Sequence, residues 1–307
     1  MTEILSEATL NEKKGINAYS FYVQLLICLS IFFFCFLVAQ LVSGAIIVMY
    51  YQATDMHVIA ADVKNLNALR YAQIFASLIS FLFPAFIFSK LKTKSYIDYV
   101  SAKTGFPIFF FLLIPLMLLC FYPCINLIYY VNEWIGISSL YKGSQEDYKM
   151  IVDALMKDTS VYAIFLNIIT VGIIPAIAEE WIFRGTLQKL FMEKWNAHLA
   201  VFVAATIFSL IHFEFSGFLP RIVLGMFLGY LFYYTGSIWA SIFAHAVNNT
   251  TQVILVYLNN ASIYKSNVDV PEMPKVWELI VYTVAFVILC RIFYYFVQKR
   301  KKSTFAG

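Results

Sequence analysis

Long runs without a charge set the pattern of this chain. Residues 15–54, 104–132 and 222–264 contain no Asp, Glu, Lys or Arg. A membrane-crossing helix needs about 20 mainly apolar residues. The pattern predicts eight such helices, near 20–48, 71–89, 106–131, a fourth from about Tyr162, then 197–217, 219–234, 238–258 and 277–298. The triplet Thr235-Gly236-Ser237 separates the sixth from the seventh. The expected fold is an all-α integral membrane protein, a bundle of about eight transmembrane helices around a polar intramembrane cavity. Residues 1–158 make three spans and an outer loop, 159–260 four spans that carry the chemistry, and 261–307 the last span with a basic tail.

Composition supports the membrane reading. The 307 residues are 61% hydrophobic and 13% charged, against about 25% charged in soluble domains. The net charge of +4 does not mark a nucleic-acid binder, and the compact basic run Lys299-Arg300-Lys301-Lys302 reads as a membrane-flanking cluster. Lys and Arg are in excess on the side shared by both termini. That side takes Lys13, Lys14, Lys90, Lys92, Arg184 and the tail; the other takes Lys64, Arg70, Lys142, Lys149, Arg221 and Lys265. The expected location is the plasma or inner membrane, with both termini cytoplasmic. Cys28, Cys35, Cys120, Cys124 and Cys290 lie in apolar runs and read as small core residues. The first apolar run is too long for a cleavable leader, so it is expected to remain as an anchor.

Ionisable groups within a bilayer cost about 2.5–3.5 kcal/mol each on insertion scales, so they tend to carry function. Away from span ends, the residues of this kind are Glu179, Glu180 and Arg184 on the fourth span, and His212, with Glu214 nearby, on the fifth. The seventh span holds His245, Asn248 and Asn249, and the eighth holds Arg291. Glu180 and Arg184 are four apart and share a helix face, so they can pair. Glu179 lies about 100° round the helix. An Arg–Glu pair can simply lock helices, but Glu179 is left without that partner. His245 and Asn249 are again four apart and can aim donors at one point, as an oxyanion requires. Asn248 points elsewhere and suits a bond across helices. A base, a proton handler and two donors are the parts needed to add water to a carbonyl. His57 and His198 fall in a loop and at a span edge. No GxSxG, HExxH, GxGD or P-loop motif occurs.

Glu179-Glu180-x-x-x-Arg184, Phe208-x-x-x-His212 and His245-x-x-x-Asn249, in this order on successive spans, resemble the three motifs of the CPBP family. These are the CAAX-processing and bacteriocin-processing intramembrane proteases, also called Abi or glutamic intramembrane endopeptidases. The resemblance covers about 160–258. It implies cleavage of a peptide or membrane-protein substrate by a Glu-activated water. By it, Glu179 is the base and His212 assists with water or leaving amine. His245 and Asn249 hold the oxyanion, while Glu180, Arg184 and Phe208 support them. No cofactor is expected, although two His and a Glu can also bind zinc, which keeps a metalloprotease as an alternative. A proton-coupled transporter and a non-catalytic scaffold are the other readings. Glu179 and His212 reach one depth only if the fourth helix starts near Ile168 and ends near Leu190, with a kink permitted at Pro175. The cavity would then open to the cytoplasmic side.

Overall fold

A computed structural model describes residues 15–52, 66–103, 105–140, 150, 152–263 and 271–305. His57, Lys13, Lys14, Lys64, Lys142, Lys149 and Lys265, used above to read loops and orientation, lie outside the described residues. Eight long helices follow one another, and no strand occurs among the described residues. They are α1 (Phe21–Tyr51), α2 (Leu66–Lys92), α3 (Phe110–Trp134), α4 (Val161–Met192), α5 (Ala197–Leu210), α6 (Phe218–Thr235), α7 (Ile238–Asn260) and α8 (Val276–Phe305). The break between the sixth and seventh falls where the sequence predicts it. Gly236 takes φ 63° and its N–H closes on Phe232 O at 2.9 Å, a left-handed C-cap that glycine adopts without strain.

Six of the eight helices are long and apolar enough to cross a bilayer: α1, α2, α3, α4, α6 and α8. α7 has the length but carries the polar residues of its motif. α5 departs from the expected 197–217. It has 14 residues, about 21 Å of helix, and stops at Leu210. Beyond it Phe213 takes a left-handed φ of 49°, which a bulky residue enters only where the surroundings hold it. His212 and Glu214 are therefore on the turn between α5 and α6, not within a span.

α4 also differs from expectation. It does not start near Ile168 but runs unbroken for 32 residues, about 48 Å. Glu179 sits about 27 Å from its start, so a long helix places the motif at depth without a late start. Pro175 is accommodated by a register change instead of a sharp break. A π segment at Ile168–Ile173 precedes it, and the missing proline N–H falls where the i→i−4 ladder has already shifted. α2 repeats the device, with a π segment at Leu78–Leu82 ahead of Pro84. Arg70, placed just outside the second span by the charge reading, is buried inside α2, and Arg184 is buried inside α4 as expected of the fourth span. Arg70 Nε donates to Asn167 Oδ1 of α4 at 2.9 Å.

Lipid is as apolar as leucine, so helices associate through packing and polar ties rather than escape from water. Leu41, Met49, Leu112 and Val284 accordingly stay exposed on the outer surface. One packed cluster joins α1, α2, α4 and α5 through Cys28, Phe88, Phe183, Phe191 and Phe208. A second joins α3, α6, α7 and α8 through Phe110, Ile114, Leu228, Ala244 and Phe293. Cys28 and Cys35 are buried, Cys120, Cys124 and Cys290 half-buried, and all five are free thiols. α4 and α7 meet at Gly172, where a Cβ would stand 2.8 Å from Thr250 Oγ1 and 3.5 Å from its backbone nitrogen. Gly172→Val is expected to push α7 off α4 and to destabilise the protein by about 1–3 kcal/mol. Denaturation followed by tryptophan fluorescence in detergent measures this; unchanged stability would show that the two helices do not need the close approach.

Candidate active site

Three α4 side chains, one α5 side chain and one α7 side chain meet between the two clusters. Glu180 is fully buried and Arg184 has 1% of its surface exposed. Arg184 Nη1 donates to Glu180 Oε1 at 2.6 Å, and its Nη2 donates to Gly225 O of α6 at 3.0 Å. One turn later Gln188 Nε2 donates to Gly229 O at 3.0 Å, so two bonds spaced four residues apart on both helices lock the α4–α6 register. The guanidinium lies over the Phe208 ring, 4.8 Å from its centroid, a cation–π contact strengthened by exclusion of water. A charge this deep is stable only with such partners.

His245 completes the arrangement from α7. Its Nδ1 lies 2.8 Å from Glu180 Oε1 and its Nε2 lies 3.7 Å from Glu179 Oε2. The imidazole thus stands between both carboxylates. Glu179 keeps 8% of its surface open and accepts no hydrogen bond from a described residue, so of the pair it is the carboxylate that a water molecule can reach. The i, i+4 pair expected of Glu180 and Arg184 forms, and both ring nitrogens of His245 face carboxylates.

Phe208 links the remaining histidine. Its carbonyl lies 2.7 Å from His212 Nδ1. A carbonyl only accepts, so Nδ1 carries the proton and Nε2 is left with its lone pair. The Phe208 ring also meets the imidazoles of His212 and His245, at centroid distances of 4.9 and 5.8 Å. His212 is exposed and lies within electrostatic range of His245, Arg184 and Arg221. Asn249 sits one turn beyond His245 on the same face, and its Oδ1 accepts from Asn248 Nδ2 at 3.1 Å. Asn248 itself accepts from Tyr122 Oη of α3 at 3.0 Å, the cross-helix bond expected of it.

Two residues of the site's support escape the sequence reading. Asn132 of α3 is fully buried and holds the turn that carries His212. Its Nδ2 donates to Phe215 O at 2.9 Å and Ser216 O at 3.1 Å, and its Oδ1 accepts from Leu219 N at 3.1 Å. A lone Asn near a span end carries no signal of this. Arg221 pairs with Glu214, whose carboxylate also accepts the Gly217 N–H at 3.0 Å. Glu214 is therefore a turn-forming residue at the start of α6. The Ser216-Gly217 and Pro220 of that turn are the sequence signal that could have ended α5 earlier.

A catalytic zinc takes three protein ligands. Among the described residues no three His, Cys, Asp or Glu side chains converge to hold a metal ion. Glu179 and His245 face one another, with His245 Nε2 3.7 Å from Glu179 Oε2.

An apolar groove of about 700 Å³ lies between α3, α4 and α7. Phe106, Phe111, Ile168, Trp239 and Phe243 line it, together with Ala246, which follows His245.

Residues 161–251, spanning α4 to the middle of α7, match the family described as type II CAAX prenyl endopeptidase, Rce1-like. Every side chain of the motifs lies in that segment. The chain is 34% identical over 95 residues to YdiL of Bacillus subtilis (strain 168), a protein to which its name ascribes a membrane peptidase role. That match covers 31% of this chain and 39% of YdiL. No solved structure matches the chain.

Removing one member of a buried ion pair strands the other. Arg184→Met is expected to cost about 3–5 kcal/mol of stability, and adding Glu180→Gln should recover much of it. Denaturation midpoints of the single and double variants check this. Asn132→Ala is expected to cost about 1–3 kcal/mol and to speed amide exchange across 211–217; exchange unchanged there would remove Asn132 from the site's support.

Proposed function

We propose, on the premise that residues 161–251 belong to the CAAX-processing intramembrane protease family, that this membrane-embedded chain is an endopeptidase driven by a Glu179-activated water. The observation that carries the reading is the asymmetry of the carboxylate pair. Glu180 is engaged by Arg184 and His245, whereas Glu179 keeps 8% of its surface exposed and accepts no hydrogen bond from a described residue. A general base must be able to take a proton from water within hydrogen-bond reach.

In the proposed reaction, Glu179 accepts a proton as the water oxygen bonds to the carbonyl carbon. The C=O electron pair moves to the oxygen, and the Asn249 amide steadies that oxyanion, with His245 Nε2, 3.7 Å from Glu179 Oε2, turned toward it as the substrate enters. Glu180 holds His245 in place through Nδ1. His212, with Nε2 unprotonated, orients the water. The proton then passes from Glu179 to the amide nitrogen, the C–N bond breaks, and a carboxylic acid and an amine leave. The motif lies deep along α4, and an apolar groove lies between α3, α4 and α7. A substrate whose scissile bond borders a hydrophobic membrane segment or a lipid-bearing end suits both features. Loop charge favours an opening on the cytoplasmic side.

Terminomics of membranes carrying wild type or Glu179→Ala at equal expression tests the reading. New protein termini are expected with wild type only, and the activity is expected to survive a chelator because the mechanism uses no metal. Glu179→Ala is expected to fold and to lose at least about 10²-fold in activity, the usual span for a lost general base. Identical termini in both strains would turn the assignment to a scaffold or a proton-coupled transporter. Loss of cleavage on chelation would turn it to a metalloprotease.

A further inference from the structure

The catalytic reading leaves Arg291 of α8 unused. We propose that the cavity between α3, α6 and α8 binds one anionic phospholipid, with its phosphate on Arg291.

The cavity has a volume of about 740 Å³, within the range of ligand sites. Its apolar part is lined by Met117, Phe121, Met226, Phe227 and Phe286, and its polar part by Arg291 with His198 and Tyr230. No carboxylate lines it. Arg291 makes no hydrogen bond or ion pair with a described residue. An unpaired guanidinium inside a span is costly, so such groups reach toward phosphates or water. Lys299 begins the basic run about 12 Å further along α8, so Arg291 lies below the headgroup layer and within reach of it by its own length.

The polar groups collect at one depth. His198 is the second residue of α5, and Tyr230 lies about 7.5 Å before the end of α6. These two helices run in opposite directions, so both residues lie toward the same membrane face as the basic run. His198 Nδ1 and Tyr230 Oη are 3.0 Å apart, which orients both toward the cavity's polar end. Cation and hydrogen-bond donors near the headgroup level, with aromatic and aliphatic walls toward mid-membrane, complement a phosphate with one acyl chain. A uniformly apolar groove would suit any chain end; the charge makes this one selective. No residue of the proposed catalytic reaction lines the cavity, and the lipid site stands whether or not the proposed proteolysis does.

Native mass spectrometry of the full chain, after incubation in detergent with equal phosphatidylglycerol and phosphatidylcholine, tests the site. One phosphatidylglycerol per chain is expected to be retained preferentially. Arg291→Gln should lower its retention about fivefold, while Lys194→Gln, a cation outside the cavity, should not. Met226→Trp, which fills the apolar part and keeps Arg291, should also release the lipid, and it decides the matter if Arg291→Gln fails to fold. Equal retention of both lipids, equal losses in Arg291→Gln and Lys194→Gln, or a lipid-free dimer covering this face would each overturn the proposal.

Discussion

The interaction on which the site depends is the buried chain Arg184–Glu180–His245. It takes two side chains from α4, one from α7 and a backbone carbonyl from α6, and it is closed on one side by Phe208 of α5. Each member is tolerable in a medium of low dielectric only because the others are present. The same constraint sorts the roles of the paired glutamates. Glu180 is bound into the structure, and its neighbour, rotated about 100° away, faces the open side.

A bilayer cannot satisfy loose backbone groups, so the machinery has to be carried by helices. The chain bends the rules of the helix locally instead of breaking it. π segments precede Pro175 and Pro84, and a third, Phe183–Gln188, contains Arg184 itself. Such single-turn widenings are common where a helix has to present side chains in an uncommon direction. Small residues do complementary work between helices. Gly225 leaves its carbonyl open to Arg184, and a Cβ there would stand 3.0 Å from that of Ala205.

His212 depends on a different kind of support. It stands on a turn, where mobility is the default. Asn132, the Glu214–Arg221 pair and the bond from Ser209 Oγ to Phe218 O at 2.8 Å together replace the helix ladder that ends at Leu210. A rigid turn lets His212 project an unprotonated nitrogen while its other nitrogen is fixed by Phe208 O.

The amino-acid sequence by itself determined the helical membrane fold, the positions of most helices and the motif residues. Each of these follows from local or periodic information: uncharged run length, the Thr235-Gly236-Ser237 break, and the spacing of Glu180 from Arg184 and His245 from Asn249. The uncharged run after Ala197 hid the early end of α5, because a turn held by hydrogen bonds to a buried Asn132 needs no charge to announce it. Placing Arg70 outside the second span failed for a related reason: a charge can stay inside a span when a distant helix supplies its partner, here Asn167 of α4. Only the tertiary structure decided that His245 stands between both glutamates, that Phe208 joins Arg184 to both histidines, and that Asn132 holds the turn. The contacts between different helices link residues 24 to 87 positions apart in sequence, and no periodicity within one helix specifies which neighbour packing will bring.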